Sequence, residues 1–201
     1  ATCRYLKIPS KIPSEVEQMA SLQAPSYLPS QANELITAYQ PILVDKDGYT
    51  HINLFIAHRD VIEDYTRIFQ KLNVKNYSLF LSSVGLLNLY YTVHPQIKSS
   101  AILIEIDADQ VEIAIVDKDN FFFSRSFKVS QYLPGWENVI VGEINKTRNA
   151  CLKETFYKDP GKIVIFGSPD NFQSLLEIVK KEIIIPVEIL PYWQRLSFSQ
   201  A

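Results

Sequence analysis

Three carboxylates alternate with other side chains at Glu105, Asp107 and Asp109, in the stretch SSAILIEIDADQVEIAIVDKDNFFFSRSF (99–127). Such a set suits Mg²⁺ held through water, because that ion takes one or two carboxylates and leaves the rest of its shell to water and phosphate oxygens. A phosphate must also approach backbone N–H groups closely, which Gly permits and Asp resists by bulk and by charge. No lysine stands in the turn to offset the three negative charges, so the same residues also read as an acidic, solvated hairpin turn. A second candidate is Gly167-Ser168-Pro169, which opens a predicted helix. Helix N-termini bind anions, yet Ser as cap and Pro at the first helical position are also ordinary capping chemistry. His51, His58 and His94 are scattered, without metal-ligand spacing, and read as structural. There is no phosphate-binding P-loop and no Gly-x-Ser-x-Gly elbow.

The elements that must position these residues emerge from periodicity. Ala101–Ile106 and Val111–Val116 read as two strands around a turn at Ile106-Asp107-Ala108-Asp109, and Phe121–Phe127 reads as a third. Glu137–Thr155 is a predicted helix, Lys162–Phe166 a short apolar strand, Ser168–Lys181 a helix and Val187–Leu190 a last strand. Upstream, Cys3–Ile8 is a strand. Residues 14–24 form a helix that Ser14 and Glu17 cap as a box and Pro25 ends. Leu35–Val44 and Thr50–Ala57 form a hairpin around Asp45-Lys46-Asp47-Gly48. Asp60–Leu72 is an amphipathic helix with Val61, Ile62, Tyr65, Ile68, Phe69 and Leu72 on one face. Tyr77–Leu81 reads as a strand, and the helix from Ser83 to Val93 is apolar on nearly every side, as if buried between layers. Alternation of this kind means an α/β fold with helices over mixed sheets. Two segments are expected, 1–97 and 98–201.

Composition narrows the function. The 201 residues carry a net charge of −2, with 47% hydrophobic and 21% charged residues, so no basic excess points to nucleic acid. No apolar run reaches the length that spans a bilayer, and no signal-peptide pattern is present, which makes the cytoplasm the expected compartment. Cys3 and Cys151 read as buried thiols. The chain opens on Ala with a strand already under way, as a piece of something longer would.

The order β-β-β-α-β-α resembles the ribonuclease-H-like unit that actin-like ATPases use twice. In CRYLKIP, EVEQMASLQAPSYLPSQANELITAYQPIL and HINLFIAHRDVIEDYTRIFQKLNV the chain resembles PilM-type pilus assembly proteins, relatives of FtsA and of the cytoplasmic part of GspL. The matching positions are Ile8-Pro9, Tyr27-Leu28-Pro29, Tyr39 and Ala57-His58-Arg59. ILIEIDADQVEIAIVDKDNFFFSRSF is similar to the family's second phosphate strand pair, with Arg125 at its habitual Arg, and KIVIFGSPDNFQSLLEIVKKEIIIPVEIL to its adenosine-facing strand–Gly–helix element. The resemblance therefore implies an actin-like ATPase fold, with Glu105, Asp107 and Asp109 at the phosphate position and Gly167 and Ser168 at the adenosine position. Glu105 and Asp107 stand where Asp and Gly are usual, and Gly-Ser-Pro replaces two glycines. The first phosphate loop has no counterpart, and Val129–Trp136 is too short for the subdomain that usually closes over the nucleotide.

What the resemblance implies is a cytoplasmic scaffold of type IV pilus biogenesis or type II secretion, without cofactor or metal. Such a scaffold docks the tail of a PilN-like inner-membrane protein between the 14–24 helix and the Leu35–Ala57 hairpin, and reaches the membrane only through that partner. The competing expectation is an enzyme, an ATPase using ATP and Mg²⁺ whose first phosphate loop lies upstream. Arg125 is expected to pair with Glu105 or Glu112 across the sheet.

Overall fold

The computed structural model describes residues 1–94, 99–117, 120–152, 159–167 and 172–191. These fall into two compact units, Ala1–Leu81 and Ser82–Ala201.

The first unit is built on β1 (Thr2–Ile8), α1 (Pro13–Tyr27), β2 (Leu35–Val44), β3 (Thr50–His58) and α2 (Arg59–Lys71). Its sheet runs β1-β3-β2, antiparallel throughout. Strand alternation places Leu6, Ile8, Ile52, Leu54 and Ile56 in one cluster with Val16, Ala20 and Ala24 of α1. Those three helix residues recur every four positions, and the two alanines let the helix lie close on the sheet. The helix does not start at the expected cap. Pro13 occupies its first turn and no side chain caps it; Pro suits that place because its missing N–H would be unpaired there anyway. Ser10 instead accepts the Ile12 N–H at 3.0 Å and donates to Glu15 at 2.5 Å. Nor does Pro25 end α1, which runs on to Tyr27. So near the terminus, Pro removes a single intrahelical bond.

The second unit comprises α3 (Ser82–Val93), β4 (Ala101–Asp107), β5 (Gln110–Asp117), β6 (Asn120–Lys128), α4 (Trp136–Cys151), β7 (Lys162–Phe166), α5 (Gln173–Glu182) and β8 (Val187–Leu190). Its mixed sheet has the order β6-β5-β4-β7-β8. β4 is antiparallel to β5 and parallel to β7. Ile102, Ile104, Ile106, Val111, Ile113 and Ile115 face α4 and α5, packing with Ile140, Ile144, Leu175 and Val179. α3 packs on β4, β5 and β6, burying Ser83, Leu86, Leu87 and Tyr90.

Several expectations change here. The helix α3 covers one face of the second sheet rather than lying between layers, with Asn88 exposed. Its packing assigns it to the second unit, whereas a division near residue 97 would leave it with the first. Residues 77–81 form no strand and pair with neither sheet. Cys3 and Cys151 are both buried, as expected.

Candidate functional site

The β4–β5 hairpin pairs Asp107 with Gln110, so its loop is the two residues Ala108-Asp109, one position later than the sequence suggested. Ala108 has φ 50°, a value that the first position of a type II′ turn usually gives to Gly. The loop is tied to the segment after β6: Gln131 Nε2 donates to the Ala108 carbonyl at 2.7 Å, and the Val129 N–H to the Asp109 carbonyl at 2.8 Å. Asp107 and Asp109 are exposed. Lys128 approaches the Asp109 carboxylate at 4.0 Å, so a cation does stand by the turn, supplied by the end of β6.

Glu105 behaves differently from the other two. The hairpin register places it opposite Glu112, on the sheet face that carries α3. Glu112 is buried and accepts a hydrogen bond from the Ser82 hydroxyl at the start of α3. Directly opposed side chains in an antiparallel pair have Cβ atoms about 5 Å apart. The structure therefore brings Glu105 and Glu112 together and leaves Asp107 and Asp109 at the tip. Register was the signal for Glu112: a two-residue loop at 108–109 pairs 105 with 112. Among the described residues no group of three or more acidic, His or Cys side chains is arranged to hold a metal ion.

Gly167, the other candidate, has φ +145°. A Cβ there would lie 2.2 Å from the Phe172 ring, itself buried in the core under α5. The absent side chain is thus accounted for by Phe172 packing against the backbone. Ser168, with the start expected for the helix, lies outside the described residues; the observed α5 begins at Gln173.

Arg125 pairs with Glu143 of α4 at 3.0 Å, not with Glu105 or Glu112. Parity explains the difference. Arg125 opposes Ile113 and shares its face, towards α4, whereas Glu105 and Glu112 project from the other side of the sheet.

A polar network that sequence reading missed lies in the first unit. His51, buried on β3, meets the Tyr5 hydroxyl through Nδ1 and the Asp45 carboxylate through Nε2, the latter at 3.0 Å. Lys7 reaches the same carboxylate at 2.7 Å, and Asp45 also accepts the Tyr49 N–H at 2.9 Å. The Lys7 ammonium, followed by His51 and the Tyr49 N–H, holds the Asp45 carboxyl far below the usual carboxylate range despite its partial desolvation. Lys7 is raised in turn, first by its hydrogen bond to Asp45. Every member sits on β1, β3 or the turn between β2 and β3, so the network fastens that turn to the sheet. His58 and His94 stand apart from it, beside Ser30 at 3.4 Å and Glu188 at 3.4 Å.

The first unit also contains an open groove of about 270 Å³. One wall is α1, through Gln18, Ser21, Leu22 and Pro25, and the other is Leu35 and Thr37 of β2. Ser21 and Thr37 are bridged by a 3.0 Å hydrogen bond across it. β2 is an edge strand of its sheet. This is the place where sequence reading expected a partner segment to dock.

No protein-family model matches the sequence, and no curated protein matches it either. Solved structures do. A chain of a PilM–PilN type IV pilus biogenesis complex superposes with a TM-score of 0.73 at 13% identity, over 98% of this chain and 68% of that one. A Bacteroides thetaiotaomicron protein with an actin-like ATPase fold and unknown function superposes with a TM-score of 0.56 at 16% identity, over 93% of this chain and 65% of that one. This chain has the actin-like ATPase fold. It spans about two thirds of each neighbour's length. Within the actin-like fold, the phosphate and adenosine positions expected from the resemblance are the β4–β5 loop and the Gly167 turn. Among the described residues no helix is long and apolar enough to cross a membrane.

Proposed function

We propose that this chain is a docking scaffold of type IV pilus biogenesis, with type II secretion as the related setting. The groove between α1 and β2 receives a short extended segment from the cytoplasmic tail of a PilN-like inner-membrane protein. The observation that carries the reading is the groove itself, a largely apolar trough with a hydroxyl bridge, walled on one side by the edge strand β2. An extended peptide suits such a place, because edge backbone groups supply hydrogen bonds while apolar pockets take alternate side chains. That a chain of the same fold is found in a complex with PilN supports the choice of partner. The scaffold works in the cytoplasm and reaches the membrane through its partner.

Nucleotide chemistry has no part in this reading. Asp107 and Asp109 meet an approaching triphosphate with like charge, and Gly167 is closed by Phe172. The alternative, an ATPase completed by an upstream phosphate loop, predicts micromolar binding of Mg·ATP.

The test is fluorescence anisotropy with the labelled cytoplasmic tail of a PilN-like protein from the same genome. Leu22→Asp, at a position 74% exposed, and Ser21→Trp, which fills the trough, are each expected to weaken binding roughly tenfold or more while leaving the fold intact. Unchanged affinity in both variants overturns the docking site. Micromolar Mg·ATP binding in calorimetry overturns the non-enzymatic reading.

A further inference from the structure

The helix α2 carries more apolar surface than its own unit covers. Its inward side is Ile62, Thr66 and Phe69, all half-buried, with the Phe69 ring 4.5 Å from that of Tyr77. Beside them runs a second apolar line that remains outside: Val61 is 46% exposed, Tyr65 52%, Ile68 51% and Leu72 67%. No residue of the helix is buried. The exposed line steps by four, three and four residues, which is the spacing of a helix–helix seam.

The charges flanking the seam are segregated along the axis. After Arg59, whose guanidinium is turned to the Asn33 and Leu35 carbonyls, Asp60, Glu63 and Asp64 occupy the first half, and Arg67 and Lys71 the second, with Lys75 just beyond. A helix patterned in this way is complementary to itself when reversed, as a two-fold axis requires.

We propose that the exposed face of α2 pairs antiparallel with the same face of a second copy of this chain. With the axis passing between Tyr65 and Ile68, Val61 meets the second copy's Leu72 and Tyr65 meets its Ile68. The positions beside the seam then match too. Asp64 faces Lys71 of the other copy, a contact that occurs twice by symmetry. A parallel pairing would set Asp64 beside Phe69 and form neither ion pair. Among the described residues Asp64 pairs with Arg67 of its own helix, at 2.9 Å and exposed on both sides, a contact weak enough to exchange. The pairing goes beyond the proposed docking role and uses neither wall of the α1–β2 groove, so either idea can fail without the other.

Analytical ultracentrifugation of the 201-residue chain tests the pairing. The expected result is a concentration-dependent monomer–dimer equilibrium. Ile68→Glu, at an exposed position, removes the dimer and leaves the thermal transition of the monomer unchanged. Asp64→Lys and Lys71→Asp each weaken association about tenfold, since each replaces two attractive contacts by repulsive ones. The two swaps combined restore it to within about twofold of the original, an outcome that damage to folding cannot mimic. A chain that stays monomeric up to roughly 200 μM overturns the proposal, as does a dimer indifferent to Ile68→Glu, or a double swap as weak as either single one. A monomer whose α2 face takes up a different protein overturns it as well.

Discussion

In the second unit the sheet β6-β5-β4-β7-β8 is covered by α3 on one face and by α4 and α5 on the other, and its central isoleucines are wholly buried. In the first unit a three-stranded sheet carries α1 over Leu6, Ile8 and Ile52–Ile56, and the apolar side of α2 stands in solvent. The contrast reaches the candidate sites. At the two positions the resemblance pointed to in the second unit, Phe172 packs against Gly167, and Gln131 and Val129 bond to the β4–β5 loop. In the first unit, the groove between α1 and β2, where a partner was expected, is open, and one apolar face of α2 is exposed. A core complete in itself is suited to being a rigid body. Contiguous exposed apolar surface is the usual mark of a place where something else binds.

The largest expected effect tests whether the Gly167 turn is closed by packing. Gly167→Ala drives a Cβ towards the Phe172 ring, at 2.2 Å before relaxation, and does so at a φ of +145°. Overpacking and backbone strain together should cost about 3 kcal/mol. Trp136, in the same core, reports the loss in urea denaturation followed by fluorescence. In a Phe172→Ala background the additional cost of Gly167→Ala should fall to about 1 kcal/mol, the strain alone. Equal costs in both backgrounds would show that the ring does not govern this turn, and the closed character assigned to the second unit would go with it.

The second effect is confined to the first unit and depends on pH. The Asp45 carboxyl is depressed from its ordinary 3.8 by Lys7, His51 and the Tyr49 N–H. Its contribution to stability is fully present above that unfolded value. As pH falls below it the unfolded chain binds a proton that the native hairpin refuses, so stability declines towards the lower folded value. Amide exchange in β2 and β3 should therefore accelerate between about pH 5 and about pH 3 more than exchange in β4 and β7. Asp45→Asn should flatten that difference. Parallel acceleration in both units would mean that the network does not set the first unit apart.

Much of this arrangement was legible in the sequence because periodicity and turn chemistry are local. The Asp45–Gly48 turn fixed β2 and β3, and the alternation in Ile102–Ile106 and Val111–Val116 fixed the hairpin that carries Glu105. What escaped depended on register or on distant partners. A loop placed one residue early hid the meeting of Glu105 with Glu112, and strand parity sent Arg125 to Glu143 rather than across the sheet. The His51 network joins residues 46 positions apart in the chain, which no local pattern announces. Residues 77–81 have the composition of a strand, but a strand also needs a pairing partner, and this segment pairs with neither sheet.

The smallest effect bears on the turn whose carboxylates first suggested phosphate chemistry. Ala108 sits at φ 50°, where an L-residue with a Cβ is about 1–2 kcal/mol less favourable than in its ordinary regions. Glycine escapes that penalty but gives back part of the gain through its greater freedom in the unfolded chain. Ala108→Gly should therefore stabilise the second unit by about 0.5–1 kcal/mol, read as a higher urea midpoint with an unchanged slope. The same change supplies the flexible residue that a phosphate loop wants. It leaves Asp107 and Asp109 on either side, with only Lys128 at 4.0 Å in partial compensation. Charge, not backbone freedom, then remains the obstacle, and calorimetry should detect no Mg·ATP binding in the variant. If Ala108→Gly gained nucleotide affinity, backbone strain alone would have been holding the site shut, and the division between a closed second unit and a binding first unit would fail at the residue where it is drawn most finely.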